Sequence, residues 1–399
     1  MSNIADGLSI AWISRGRLFV KRGDRAVQEI ESDFARDSLQ REMRRTQNSS
    51  WKGRSGVWGE MGVSPPSAVP WEDSDQQRKI RFVAMAKGDS ADEIYYVLDL
   101  GAVGGLFKYD MELEEETRLM HSQSFQARDI SRHPSDQQIA VSVRRNDGTM
   151  GLSITRKDGL FGKAITLSDT IDEAPSWFPD GSKRLVFQSS AIGRDENGNA
   201  IGQSTSRIEI LSLEEEEIDN LIEQDGCDLL QPRMTKDKTV YYIRRPYKVD
   251  HRKPPTFLET VQDVVYFPFR LARAFIYFFN FMSMAFSGKP LMNAGGPESK
   301  KQNADPFLIL YGQAVDTRKA LARGNGKEKA PLVPKEWELV ARSESGAETV
   351  LATNVVAFDT NGEGQLLYTD GRKLFSLAPG GKSVKVADGD LVEKVLLMS

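Results

Sequence analysis

The stretch PSWFPDGSKRLVFQSS, residues 175–190, places Trp177 and Phe178 before Pro179-Asp180-Gly181, and a run with β-branched and aromatic members after it. Asp-Gly between apolar runs signals a hairpin, because Gly accepts a positive φ and Asp bonds its own backbone. Val186 and Phe187 suit a pleated, buried surface. A single hairpin decides nothing about a fold unless it recurs. Upstream lies DISRHPSDQQIAVSV (129–143) and downstream QPRMTKDKTVYYIRR (231–245), each with a polar turn and then an apolar strand. Pro134 and Pro179 are 45 residues apart, near the length of one four-stranded propeller blade.

A second repeat joins the two ends of the chain. LLYTDGRKLFSLAPGGKSVKVAD (366–388) matches IAWISRGRLFVKRGDRAVQEIES (10–32). Leu366 aligns with Ile10, Tyr368 with Trp12, and Leu374-Phe375 with Leu18-Phe19; one deletion then aligns Val384 with Val27 and Val386 with Glu29. The C-terminal copy has a strand before it, NVVAF (354–358), which the N-terminal copy lacks. LVEKVLLM (391–398) is available to supply it. Such a closure protects edges that an open array would expose.

The expected architecture is all-β: a six-bladed β-propeller closed by the C-terminal strand joining the N-terminal blade. Its blades are read at 8–32 plus 391–398, 79–121, 129–168, 174–224, an interrupted fifth beginning at 231, and 354–388. This makes one domain over 1–399 with two departures. Residues 33–76 contain the charged helix candidate FARDSLQREMRRTQ and then a Gly/Pro/Ser-rich stretch. Residues 247–306 hold an amphipathic, hydrophobic helical insertion in blade five together with its Gly/Pro/Lys linker.

Seven of the 19 Phe lie between Phe267 and Phe286. From Arg270, polar residues fall at Arg273, Tyr277, Asn280, Ser283 and Ser287, one stripe of an α-helix. The remaining surface carries Leu271, Phe275, Phe278, Phe279, Met282 and Phe286, with Phe267 and Phe269 at its start. A helix over 268–287 would be roughly 30 Å long, which just spans a bilayer core. Three readings compete: a transmembrane span, a helix lying in the membrane plane, and a helix packed on the propeller or a partner. The in-plane reading accounts best for the polar stripe, the aromatic load and the flanking bases Arg244, Arg245, Lys248, Arg252 and Lys253. Membrane or partner contact is therefore expected through these apolar residues together with Arg270 and Arg273.

The 399 residues carry 28% charged side chains and a net charge of −4, which gives no reason to expect nucleic-acid binding. The single cysteine, Cys227, excludes an internal disulfide, fits a reducing compartment, and is read as a small buried residue without a basic partner. Three histidines, His121, His133 and His251, limit histidine-based catalysis and metal binding. Lys87-Gly88-Asp89-Ser90 matches a Gly-Asp-Ser block of one esterase class, but no His follows His251 and turn chemistry is the better reading. Gly101 to Gly105 lacks the Lys-Ser/Thr pair of a phosphate loop. Asp359-Thr360-Asn361-Gly362-Glu363-Gly364 with Asp370 has the spacing of a calcium loop, yet the repeat demands a turn there. No cofactor or metal is expected, and no catalytic residue.

Trp177-Phe178-Pro179-Asp180-Gly181, followed by Lys183 to Phe187, resembles the TolB-type propeller repeat, with Phe178 in place of the usual Ser. His133 to Asp136 is a degraded copy, and Met234 to Asp237 and Phe358 to Gly362 are weaker ones. The resemblance implies a β-propeller, commonly six-bladed, acting as an interaction platform or as a gating domain on peptidases of the prolyl-oligopeptidase and tricorn types. No attached peptidase domain is expected, because the propeller would use the whole of the 399 residues. TolB itself is exported; here the first residues lack a basic start and an apolar run. A cytoplasmic, peripheral-membrane scaffold that binds other proteins is expected. The competing expectation is an enzyme or ligand-binding propeller with its site in the central channel.

Overall fold

The computed structural model describes residues 7–50, 80–101, 103–123, 125–157, 162, 164–247, 307–311, 313–316 and 330–398. Among these residues it holds 26 strands and one helix. In chain order these are β1 (Ser9–Ser14), β2 (Arg17–Arg22), β3 (Gln28–Ile30), α1 (Asp33–Ser50), β4 (Arg81–Lys87), β5 (Glu93–Asp99), β6 (Gly104–Asp110) and β7 (Glu115–Ser122). Next come β8 (Ala127–Arg132), β9 (Gln138–Arg144), β10 (Met150–Arg156), β11 (Thr170–Trp177), β12 (Arg184–Arg194), β13 (Ala200–Gln203), β14 (Arg207–Ser212) and β15 (Glu217–Ile222). The rest are β16 (Cys227–Met234), β17 (Val240–Pro246), β18 (Phe307–Leu310), β19 (Gln313–Asp316), β20 (Glu338–Arg342), β21 (Glu348–Thr353), β22 (Ala357–Thr360), β23 (Leu366–Thr369), β24 (Lys373–Leu377), β25 (Val384–Asp388) and β26 (Val392–Leu397).

The last strand joins the first three: the first sheet runs β26-β1-β2-β3, with Ile10 opposite Leu397 and Trp12 opposite Val395. The sixth sheet, β22-β23-β24-β25, has the same plan. Trp12 faces Phe19 across β1 and β2, their rings stacked at 5.7 Å; Tyr368 faces Phe375 across β23 and β24, stacked at 5.1 Å. The aligned residues therefore occupy the same cross-strand pair, the unit that stabilises a sheet.

The second sheet is β4-β5-β6-β7, and the fifth is β16-β17-β20-β21. β8 to β15 form one continuous sheet, in which a third set of strands, β8-β9-β10, and a fourth, β11-β12-β14-β15 with β13 on β12, are joined by one parallel pairing of Met150 with Ile171; β18 and β19 pair as a separate two-stranded sheet. The third sheet has no fourth strand among the described residues. Only an isolated bridge, Ser153 to Ala164, extends it, and the Leu152 amide donates to the Thr166 hydroxyl at 2.9 Å.

The strands at the start of each sheet pack in a closed circuit, β26 on β4, β4 on β8, β8 on β11, β11 on β16, β16 on β22 and β22 on β26. The core sits between successive sheets. Ile13 and Leu18 meet Tyr96 and Phe107, Tyr95 and Leu106 meet Ile139 and Val141, and Ala140 and Leu152 meet Trp177 and Phe187. Phe178 and Ile208 meet Leu229 and Tyr242, and Leu230 and Leu339 share a cluster with Phe358, Ile10 and Val395.

The repeat boundaries read from sequence start too late. β8 begins at Ala127, β11 at Thr170 and β16 at Cys227, rather than at 129, 174 and 231. The cause is a register shift inside each strand, at Ala127/Asp129, Glu173/Ser176 and Leu230/Arg233. Ala174 (φ 51°) and Gln231 (φ 53°) take the left-handed conformation, each directly before a proline. Proline within a sheet belongs at such bulges, so Pro175 and Pro232 mark the middle of a strand, not its edge.

The charged stretch after β3 is helical as α1. Its start is capped by Ser32, whose hydroxyl accepts the Ala35 amide at 3.2 Å and donates to Glu116 at 2.5 Å; Glu116 also accepts the Phe34 amide at 2.9 Å. These bonds answer amides that a helix start leaves open. No described helix is long and apolar enough to cross a membrane. The segment 251–306, with Phe267, Phe269, Arg270, Leu271, Arg273, Phe275, Phe278, Phe279, Met282 and Phe286, lies outside the described residues, as do 51–79.

Candidate functional site: the axial cavity, its polar floor and a lateral groove

The opening motif is architectural. Asp180 accepts the Ser182 amide and hydroxyl at 2.9 and 2.6 Å and binds Arg184 at 3.0 Å, while Gly181 takes φ 78°. Trp177 packs edge-on against His133, ring centres 4.6 Å apart, and its indole donates to the Ser131 carbonyl at 3.0 Å. His133 lies 3.3 Å from the Ser182 carbonyl, and its other nitrogen accepts the Asp136 amide at 2.9 Å. The hairpin of the fourth sheet thus locks onto the equivalent turn of the third. Lys236 donates its amide to the Gly362 carbonyl at 3.1 Å, which links the fifth and sixth sheets in the same way.

Six strands, β4, β8, β11, β16, β22 and β26, end around one cavity of about 190 Å3. Lys87, Arg132, Trp177, Arg233, Thr360 and Leu396 each reach it from a different strand. Asp359 also lines it, binding Arg233 at 3.3 Å and accepting the Leu397 amide at 2.9 Å. Arg132 is anchored through Asp89 at 3.2 Å, and Asp89 also binds Lys157 and accepts the Tyr95 hydroxyl at 3.0 Å. Burial alone would raise the Asp89 carboxyl, but the bonds from Lys157 and Tyr95 bring it below its ordinary value.

Earlier in the same strands the polar groups pair with one another. Lys394 bridges Asp129 and the Arg128 carbonyl. Asp129 accepts the Ala174 amide at 3.3 Å, an amide that the β11 bulge turns inward. Glu173, also at that bulge, accepts from Gln188 at 3.2 Å. Burial, then the neighbouring Asp129 charge, pushes its carboxyl up to about 7, against the pull of Lys394 and Arg128. Gln231, at the matching bulge of β16, donates to the Val356 carbonyl at 3.1 Å. Arg245 is buried, binds Asp228 and the Tyr311 carbonyl at 2.9 and 2.5 Å, and lies over Trp337. Tyr311 sits in the β18–β19 hairpin, a pairing that the sequence reading did not anticipate. Its phenol is held well above its ordinary value by burial and then by Asp129 and Glu173.

A second concavity of about 380 Å3 lies between the fourth and fifth sheets. Phe178, Ile210, Leu221 and Met234 form its apolar lining, and Arg184, Lys236, Lys238, Arg342, Asp180 and Glu344 its charged rim.

The remaining sequence candidates resolve into turns. Ser90 accepts the Asp92 amide at 3.3 Å. Asp359 lies in β22 opposite Leu367 and Asp370 follows the end of β23: Asn361 accepts the Glu363 amide in one turn and Asp370 accepts the Arg372 and Lys373 amides in the other. No group of three metal-ligating side chains occurs among the described residues. Cys227 is half-buried rather than buried, its thiol raised by burial with Arg244 nearby opposing; the basic neighbour comes from β17, across the sheet. The sequence reading missed Glu173, Asp129, Lys394 and Arg233, because no motif marks them; the only signal was a charged or polar residue beside each strand's bulge.

No family model matches the sequence, and no curated protein matches it. Among solved structures, TolB from Acinetobacter baumannii superposes with a TM-score of 0.50 at 11% identity, covering 97% of this chain and 66% of that one. The nidogen/laminin complex gives 0.48 at 8% identity over 98% and 97%, and a putative TolB from Agrobacterium tumefaciens 0.42 at 9% over 79% and 83%. The fold is that of a TolB-like β-propeller. At such identity the likeness concerns the fold alone, and function rests on the site.

Proposed function

We propose that this chain is a closed six-bladed propeller that serves as a non-enzymatic platform for other proteins, held at the cytoplasmic face of a membrane by the amphipathic segment 268–287. The closed circuit of first strands supports the blade count. The observation that carries the platform reading is the groove between the fourth and fifth sheets, with an apolar floor inside a charged rim, the anatomy of a protein contact. Its rim pairs, Lys238 with Glu344 and Arg184 with Asp180, are exposed. Such pairs contribute little and rearrange easily when a partner arrives. The aromatic content and the single polar stripe of 268–287 support the membrane contact.

Flotation on vesicles containing anionic lipid tests the reading. The full chain should rise with the vesicles, and a chain lacking 256–292 should stay with the soluble protein. Equal recovery of both forms in the soluble fraction would overturn membrane attachment.

A further inference from the structure

We propose that the β18–β19 hairpin is a pH-responsive stopper of the axial channel, seated at the end where the circuit strands begin and loosened as the pH rises through neutrality. The hairpin belongs to the connection from β17 to β20. β17 ends beside the start of β16, with Pro246 opposite Cys227. Leu310 pairs with Gln313, so Tyr311 stands at the hairpin tip. Its φ of 45° is uncommon for an aromatic residue and persists only where the surroundings hold it. Arg245 supplies that hold. It is buried, fixed by Asp228 at 2.9 Å and placed 4.8 Å from the centre of the Trp337 ring, and it donates to the Tyr311 carbonyl at 2.5 Å. The Tyr311 side chain packs against the core cluster shared by Leu230, Leu339 and Phe358. Asp129 of β8 and Glu173 of β11 act on its phenol, and Arg233 and Arg245 oppose them. A residue from the fifth sheet's own connection therefore meets, across the axis, charges that belong to the third and fourth sets of strands.

Glu173 supplies the response. Facing it are Asp129 and Arg128 from β8, Lys394 from β26, Gln188 from β12 and Arg245 from β17, with Arg233 of β16 on the Tyr311 side. Protonated, it adds no charge to the seat. Ionised, it is a second carboxylate beside Asp129, cut off from water while the tip is seated. Its carboxyl stands at about 7 in the seated state and falls towards about 4.3 once water reaches it. Its contribution to seating is therefore full below about pH 4.3 and lost as the pH rises through about 7.

The device is separate from the groove, so it stands or falls independently of the platform reading. The test is amide hydrogen exchange of the full chain, read by mass spectrometry as protection factors so that the intrinsic pH dependence of exchange cancels. Between pH 6 and 8 the protection of 307–316 should fall about tenfold, while the buried strand β5 keeps its protection. Glu173→Gln should hold the hairpin protected at both pH values. Tyr311→Gly relieves the positive φ but removes the ring, and should leave the hairpin weakly protected at both, with β5 unchanged as the check that the fold is intact. No fall in the wild type, an equal fall in β5, the same fall in Glu173→Gln, or wild-type protection in Tyr311→Gly would each overturn the proposal.

Discussion

In the first halves of β8, β11 and β26, Asp129, Glu173 and Lys394 answer one another, whereas at the far ends of the same circuit Arg132 and Thr360 keep polar atoms without partners. The same six strands supply both regions. What differs is the backbone: the bulges that precede Pro175 and Pro232 turn amides and side chains inward, where they find partners. Beyond the bulges the strands run on to the hairpin turns, and the axis opens into a cavity. The inner charges are paired through the bulges, and the outer ones, Arg132 with Asp89 and Arg233 with Asp359, are paired around the cavity.

Substitutions that tell these regions apart follow in order of size. Lys394→Met should have the largest effect. It leaves Asp129 and Glu173 facing each other without their shared cation and should lower stability by about 2–4 kcal/mol near pH 8, read by denaturant unfolding. Part of that loss should return at pH 5, where Glu173 is protonated. A loss below about 0.5 kcal/mol would mean that this region is as loosely engaged as a surface ion pair.

Next comes the pH dependence of Glu173. Its carboxyl is raised to about 7 in the folded chain, above the unfolded value of about 4.3. The folded state therefore binds its proton more tightly. The associated stability is fully present below about pH 4.3 and falls as the pH rises through about 7. Glu173→Gln should flatten this component, up to about 3 kcal/mol between pH 5 and 8. A variant that keeps the wild-type slope would assign the dependence to another group.

The smallest effect tests the turns that surround the cavity. Trp177→Phe keeps an aromatic ring but loosens the packing against His133 and leaves the Ser131 carbonyl without its indole donor. It should reduce stability by about 1 kcal/mol while leaving the pH profile of the inner cluster intact. A changed pH profile would show that the two regions are mechanically coupled.

Much of the ring was legible in the residues. The match of 10–32 with 366–388 placed Trp12 with Tyr368 and Phe19 with Phe375, and the structure pairs them identically. Residues 391–398, expected to supply the missing first strand, hold β26, which pairs with β1. These features were readable because hairpin register is local: turn residues and alternating apolar positions fix which side chains face each other. The late boundaries at 174 and 231 fall at strand-interior bulges beside Pro175 and Pro232. Pro175 and Pro232 are typical of strand edges, but a bulge also accommodates them within a strand.

Sequence alone determined the strand pattern, the Pro-Asp-Gly hairpin and the complement of charges, since each depends on neighbours a few residues apart. Only the tertiary structure decided which charges meet. Asp129 and Lys394 are 265 positions apart, and Arg233 and Asp359 are 126 apart. Closure of the ring brings them within bonding distance and partly out of water, and raises Glu173. PSWFPDGSKRLVFQSS names the hairpin, but the cavity beside it exists only because five other strands end at the same place.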